Sequence, residues 1–257
     1  MSAGAAPGHA NHREGDPQLP EQGEDTVTEF DAPEYAAAWA DYARDEADAE
    51  AHPVMRYIAA YVLCHQLETA LPRPLTVLDL GCGTGALFVQ MRRFGMSGIR
   101  YRGIDGNPDL VAACRAHVGA QEACQLADLA NGDEVDRVLR DSPAPDLLVA
   151  CRLFNNLDDS AVQSLLDRMA AHCPGALLLQ LEPFDAPPDA AEPDPSDSAH
   201  ITTVAFNGVA VRHYQRSRDQ FGRWFDRIGA HTLSWRPLYL KSDAHPTHLF
   251  AATRFAG

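Results

Sequence analysis

Seven residues, Asp79-Leu80-Gly81-Cys82-Gly83-Thr84-Gly85, constrain this chain more than any other stretch. They follow the apolar run Leu75–Leu80 and precede a segment with Leu87, Met91 and Phe94 on one helical face, so they read as a strand-to-helix turn. Glycines are needed there because the backbone must turn sharply and let a ligand approach without a Cβ in the way. Amides at the start of the following helix favour negative ligand groups. Asp105 ends the second expected strand, Ile99–Asp105, 20 residues after Gly85. A carboxylate at that strand tip can accept both hydroxyls of a ribose.

From Leu75 onward, short apolar runs alternate with amphipathic helices, the pattern of a mostly parallel sheet. Further strands are expected at Ala123–Ala127, Asp146–Cys151 and Ala176–Leu181, with helices opening at Asn107-Pro108, around Val135–Leu139 and over Val162, Leu165, Leu166 and Met169. The alternation then breaks. Residues 184–198 are rich in Pro and Asp, and Asn207-Gly208 between Ile201–Phe206 and Val209–Tyr214 is a hairpin signal. Ser217-Arg218-Asp219-Gln220 reads as a capping box opening a helix with Phe221, Trp224, Phe225 and Ile228 on one face. Two closely spaced strands near Thr232–Tyr239 and His248–Phe255 suit an antiparallel pair.

Ahead of the sheet, residues 1–28 form an acidic tail expected to be disordered, and residues 29–72 a helical cap. The cap carries Tyr35, Trp39 and Tyr42 on one helix, and Ile58, Tyr61, Val62 and Leu67 as core contacts on a second from about Pro53. Residues 73–257 form the main domain, with 184–216 as an insertion. The formal net charge of −15 sits mostly in residues 1–50, with 13 acids against two arginines, and in Asp185 to Asp197, with five acids and no base. No basic face emerges, which disfavours nucleic-acid binding. No run approaches the ~20 apolar residues of a membrane span. The six cysteines are scattered with no C-x-x-C pair, so they read as reduced thiols of a cytoplasmic protein, without a metal site.

The turn alone leaves two cofactor classes open, since Gly81, Gly83 and Ala86 also satisfy the dinucleotide pattern G-x-G-x-x-A. Yet Val77-Leu78-Asp79-Leu80-Gly81-Cys82-Gly83-Thr84-Gly85 is similar to the D-x-G-x-G-x-G motif of class I S-adenosylmethionine-dependent methyltransferases. Ala127-Asp128-Leu129 after the third strand and the closing helix and strand pair resemble that family as well. The resemblance spans roughly Leu75 to Phe255, interrupted by residues 184–200. It implies an α/β, Rossmann-like three-layer sandwich with a mostly parallel seven-stranded sheet and an antiparallel last strand. It also implies S-adenosylmethionine as cofactor and S-adenosylhomocysteine as product. By position, Gly81, Cys82 and Gly83 pass beneath the methionyl and ribose portions, and Asp79 helps hold the ammonium. Asp105 takes the ribose, Gly106 and Asn107 flank the adenine, Asp128 and Leu129 meet its amino edge, and Cys151 lies under the sulfonium.

The acceptor side is less legible, because displacement at an activated methyl leaves no obligatory motif. Cys151-Arg152-Leu153-Phe154-Asn155-Asn156-Leu157 departs from the D/N-P-P-Y/F pattern of methylases of nucleic-acid amines and protein glutamine. Arg152 is a candidate to hold an anion, Asn155 to orient the acceptor, and Phe154 to wall the pocket or fill the core. His213 on the inserted hairpin is the best-placed base, Tyr42 belongs to a candidate aromatic lid, and Glu182 faces either the cleft or a salt bridge. The expected function is methyl transfer to a small molecule, in secondary metabolism. A non-methylating reaction such as cyclisation or elimination is the alternative, with a homodimer or a partner-dependent subunit also open.

Overall fold

The computed structural model describes residues 53–69, 73–120, 123–142, 144–183, 199–206, 209–239 and 247–257. In chain order these form α1 (Pro53–Thr69), β1 (Leu75–Leu80), α2 (Ala86–Arg93), β2 (Ile99–Asp105), α3 (Pro108–Val118), β3 (Cys124–Leu126) and α4 (Gly132–Asp141). They continue as β4 (Leu147–Cys151), a 3-10 turn (Phe154–Asn156), α5 (Asp159–His172), β5 (Leu177–Pro183), β6 (His200–Phe206), β7 (Val209–Gln215), α6 (Arg218–Arg227), β8 (His231–Tyr239) and β9 (Thr247–Arg254).

Seven strands make one sheet in the order β3-β2-β1-β4-β5-β9-β8, while β6 and β7 pair separately. Strands β1 to β5 are mutually parallel, and β9 enters antiparallel between β5 and β8. The order reverses between β1 and its neighbours β2 and β4, so the strand tips there open a crevice suited to a ligand. The expected sheet, including its antiparallel last strand, is the one observed.

Alternate residues of each central strand serve opposite layers. Leu75, Val77, Leu147, Val149, Leu177 and Leu179 meet the face covered by α1, α2 and α3. Leu78, Leu80, Leu148, Ala150 and Leu178 meet the face covered by α4, α5 and α6. Burial on both faces explains why β4 reads as an unbroken apolar run and β1 as one interrupted only by the buried Thr76 and Asp79. In α5, Val162, Leu165, Leu166 and Met169 are all buried, as their spacing predicts. The second helix expected in the cap is α1. It packs Val54, Ile58, Ala59 and Val62 into the sheet core, and Tyr57 and Tyr61 lie with ring centroids 5.4 and 5.1 Å from Phe250 of β9.

Two expected core contacts are instead exposed. Leu67 is near the end of α1, and Phe94 is the residue at which α2 turns off toward Gly95, so neither faces the sheet. The capping box forms by half: Ser217 accepts from the Gln220 amide, but the Gln220 side chain donates to Asp159. The acidic tail, Tyr35, Trp39, Tyr42, residues 184–198 of the 184–216 insertion, and Asn207-Gly208 lie outside the described residues. Strands β6 and β7 pair antiparallel from His200↔Gln215 to Phe206↔Val209. No helix among the described residues is long and apolar enough to cross a membrane.

Candidate active site

Two strand tips and two backbone amides build the first half of the site. The turn leaves β1 with φ of 69° at Gly81, 53° at Gly83 and 82° at Gly85. At Gly85 the left-handed backbone is compounded by close approach, since a Cβ would sit 3.0 Å from the Cys114 sulfur. The amides of Gly81 and Cys82 both donate to the Ile104 carbonyl, at 2.8 and 2.9 Å, which binds the turn to β2. Asp105 accepts from the Gly83 amide with one oxygen and from the Asn107 amide with the other, both at 2.9 Å. Burial pushes its carboxyl pKa up, and these backbone donors oppose the shift. Asn107 caps α3 by accepting from the Asp109 and Leu110 amides.

Beneath the turn, Asp79 is buried and accepts from the Tyr101 hydroxyl at 2.7 Å. Its carboxyl is raised to about 7, chiefly by burial; the Tyr101 bond pulls down and the Asp105 charge pushes up. Tyr101 was not singled out from sequence. Its signal is modest, an aromatic residue paired with Val77 and two positions before a glycine that faces Asp79.

The second half forms where β4 ends. Arg152 has a φ of 54°, the one positive value at a non-glycine among the described residues. Such strain persists where surroundings over-determine it, and it concentrates at functional sites. Its Nη2 donates to Nε2 of His248, a fully buried β9 residue, at 2.9 Å. A guanidinium only donates, so that ring nitrogen must accept. Glu182 on β5 accepts from the Phe154 and Asn155 amides at 3.2 and 3.1 Å. Burial dominates its titration and raises it to about 8, against the pull of those amides and of Arg216 and Arg152.

Asn155 and His213, 58 residues apart, meet at 3.3 Å. The Asn155 amide is satisfied at both ends when Nδ2 donates to the Arg152 carbonyl and to Glu182 Oε2, each at 2.9 Å, and Oδ1 accepts from His213 Nε2. Arg216, with a side chain 1% exposed, pins the neighbourhood. Its guanidinium donates to the carbonyls of Phe154 and Leu157 and, at 2.8 Å, to Asp159, and it lies over the rings of Tyr214 and Trp224. Asp159 also accepts from the Ala199 amide and from Gln220, so one ion pair ties the hairpin and α6 to the segment after β4. Neither Arg216 nor His248 carries a local sequence signal; each is defined by residues distant in the chain.

Several expectations change. Phe154 is wholly enclosed, with its ring 5.9 Å from that of Phe221, so it backs the site from the core and does not wall the pocket. Leu129 buries its side chain in the core, an arrangement compatible with the expected part for its backbone amide. Asp128 is exposed and accepts from the Ala130 amide, while its own amide donates to Glu134. Gly106 and Asp128 lie beside each other, since a Cβ on Gly106 would reach the Asp128 Cα at 4.0 Å. Cys151 is buried at the β4 tip. Cys114 and Cys124 form a disulfide between α3 and β3, which corrects the expectation that all six cysteines are reduced thiols. A broad polar depression of about 660 Å³ runs along α5 from Asp159 to Arg168 and reaches Arg227. It is open and includes no residue of the glycine turn, so the strand-tip crevice, with its convergent buried groups, is the better candidate.

No curated protein sequence matches the chain. Solved structures similar in fold include a glycopeptide N-methyltransferase complexed with S-adenosylmethionine, at 14% identity and a TM-score of 0.56, covering 80% of this chain and 96% of that one. A magnesium protoporphyrin IX methyltransferase from Synechocystis PCC 6803 with bound S-adenosylmethionine is 12% identical, with a TM-score of 0.52 and coverage of 78% and 79%. An S-adenosylmethionine-dependent methyltransferase from Clostridium acetobutylicum is also 12% identical, with a TM-score of 0.53 and coverage of 87% and 98%. A family model described as a methyltransferase domain matches residues 55–234, well over half of the chain. The chain therefore belongs to that methyltransferase-domain family.

Proposed function

We propose that this chain binds S-adenosylmethionine across the glycine turn and transfers its methyl group to a small-molecule acceptor, in secondary metabolism. The observation that carries the reading is Asp105, whose two oxygens hold the Gly83 and Asn107 amides and so lock turn and strand tip into one cradle. A carboxylate offers about four acceptor positions; with the Gly106 amide also drawing on Asp105, one remains for a ribose hydroxyl, and more if the ligand displaces an amide. The surroundings fit the rest of the cofactor. A Cβ on Gly83 would meet nothing within 4 Å, which leaves room above the turn. Asp79, held near neutrality by burial, is a carboxyl that an adjacent ammonium would ionise. The similar structures named for a glycopeptide and for magnesium protoporphyrin IX support a small-molecule acceptor.

Bound S-adenosylmethionine supplies a methyl carbon already activated for in-line displacement. The protein then has to place the acceptor, exclude water and take a proton where the acceptor must lose one. With His213 Nε2–H given to Asn155 Oδ1, the lone pair lies on Nδ1, which is the base. Asn155 sets that tautomer because Glu182 and the Arg152 carbonyl hold its amide in one orientation. Arg152, beside His248, supplies positive charge for an anionic acceptor group. The test is incubation of the full chain with S-adenosylmethionine and a panel of phenols, amines and carboxylic acids, read by product mass. A product heavier by one methylene supports the reading. Tight S-adenosylhomocysteine binding with no transfer to any acceptor contradicts it.

One observation favours a second reading. The Glu182–Asn155–His213 network handles protons more elaborately than displacement requires, and it suits elimination or cyclisation. Turnover without cofactor and without a gain in product mass would distinguish that chemistry.

A further inference from the structure

Three sulfurs lie together directly under the glycine turn. Cys114 and Cys124 form the disulfide between α3 and β3, and the free thiol of Cys82, inside the turn, lies 3.8 Å from the Cys114 sulfur. The backbone rests on these atoms without slack. A Cβ on Gly85 would come within 3.0 Å of the Cys114 sulfur, and one on Gly103 within 2.7 Å of the Cys82 sulfur. Movement of either sulfur is therefore transmitted to the turn or to β2.

We propose that Cys82, Cys114 and Cys124 form a thiol–disulfide exchange site that switches the cofactor cradle between two covalent states. The inference rests on the reading of the glycine turn as the S-adenosylmethionine cradle. The Cys82 sulfur, as thiolate, attacks the Cys114 sulfur. The Cys82–Cys114 bond forms as the Cys114–Cys124 bond breaks, and the electron pair leaves on the Cys124 sulfur, which takes up the proton that Cys82 released. One disulfide and one thiol stand on each side, so the exchange needs no outside oxidant or reductant.

The two states differ in shape. A disulfide holds its sulfurs ~2.05 Å apart, so Cys82 and Cys114 must close by roughly 1.7 Å from their present 3.8 Å. Cys82 cannot approach freely, because its amide donates to the Ile104 carbonyl and its carbonyl accepts from the Gly85 amide. The exchanged state therefore distorts the surface that lies beneath the cofactor, and a bound cofactor opposes the exchange. Burial raises the Cys82 thiol well above its ordinary range, which keeps the attacking thiolate scarce and slows the forward exchange. Cys114 and Cys124 are fully buried and Cys82 is nearly so, which points to interconversion through local opening.

The experiment uses the full chain equilibrated in buffers of reduced and oxidised dithiothreitol, acid-quenched, alkylated and digested without reduction. Arg115 separates Cys114 from Cys124, and Arg92 separates Cys82 from both, so tryptic mass mapping distinguishes the pairings, and fragmentation of the 57–92 peptide, which also carries Cys64, assigns the Cys82 bond. Calorimetry with S-adenosylhomocysteine is run on the same samples. Both Cys114–Cys124 and Cys82–Cys114 pairings are expected, with affinity at least tenfold weaker in the second, and saturating S-adenosylhomocysteine should suppress the second pairing. Cys124→Ala, which leaves Cys82 as the nearby partner of Cys114, should bind weakly when oxidised and recover on reduction. Absence of the Cys82–Cys114 pairing at every redox poise overturns the proposal, as does an affinity independent of which pairing is present. A chain that binds no S-adenosylhomocysteine even when reduced overturns the cofactor reading, and the switch with it.

Discussion

Replacing Glu182 by glutamine should flatten the dependence of stability on pH. Glu182 is enclosed at the tip of β5, and its carboxyl is raised from 4.5 to about 8, with burial as the main cause. An acid whose pKa is higher in the fold than in the unfolded chain binds its proton more tightly when folded. Its stabilising contribution is complete below 4.5 and is lost as pH rises through about 8. At about 1.36 kcal/mol per pH unit, the gap between the two values amounts to roughly 5 kcal/mol across that window. Glutamine keeps an oxygen for one of the Phe154 and Asn155 amides, which bond different oxygens of Glu182, and cannot ionise, so Glu182→Gln should cost about 1–3 kcal/mol at pH 5 and retain more stability than the wild type above pH 8. Urea unfolding at half-unit intervals from pH 4.5 to 8.5 measures both slopes. Parallel curves for the two proteins would refute the assignment of a protonated, buried Glu182.

Arg216→Met should destabilise the fold by about 3–5 kcal/mol in urea unfolding, because it strands the Phe154 and Leu157 carbonyls and leaves Asp159 without its buried partner. His213→Gln should lower turnover of an acceptor that must lose a proton by about 10²–10⁴-fold, while calorimetry finds S-adenosylhomocysteine affinity unchanged. S-adenosylhomocysteine affinity should rise with pH through about 7 as Asp79 ionises against the ligand ammonium, and Asp79→Asn should abolish that step in calorimetric titrations at several pH values.

The centre of the sheet was legible because β1 and β4 are buried on both faces. Leu75–Leu80 and Ile99–Asp105 have the same bounds in sequence and structure, marked by the glycine and Asn-Pro signals after them. The third strand is shorter than Ala123–Ala127 implies, since Ala127 only reaches back to the Asp105 carbonyl at the fraying end of the ladder. Periodicity failed at Leu67 and Phe94, where helix ends rotate residues past the buried stripe. On the site, glycine spacing located the turn because steric demands act on neighbours in sequence. Glu182 gave an ambiguous signal and Arg216 and His248 gave none, because burial and partner identity arise from packing of elements far apart in the chain. The Cys114–Cys124 bond was hidden for a similar reason: ten residues separate a helix cysteine from a strand cysteine, a spacing that says nothing without the α3–β3 crossover.

Asp105→Ala addresses the cradle most directly. It deletes the acceptor for the Gly83 and Asn107 amides and the group assigned to the ribose, at a position where truncation opens no large apolar cavity. Calorimetric titration of S-adenosylhomocysteine into wild type and variant, with folding checked by unfolding midpoint, should show affinity reduced about 100-fold, the loss of roughly two charge-assisted hydrogen bonds. An unchanged dissociation constant in a folded variant would contradict the cradle.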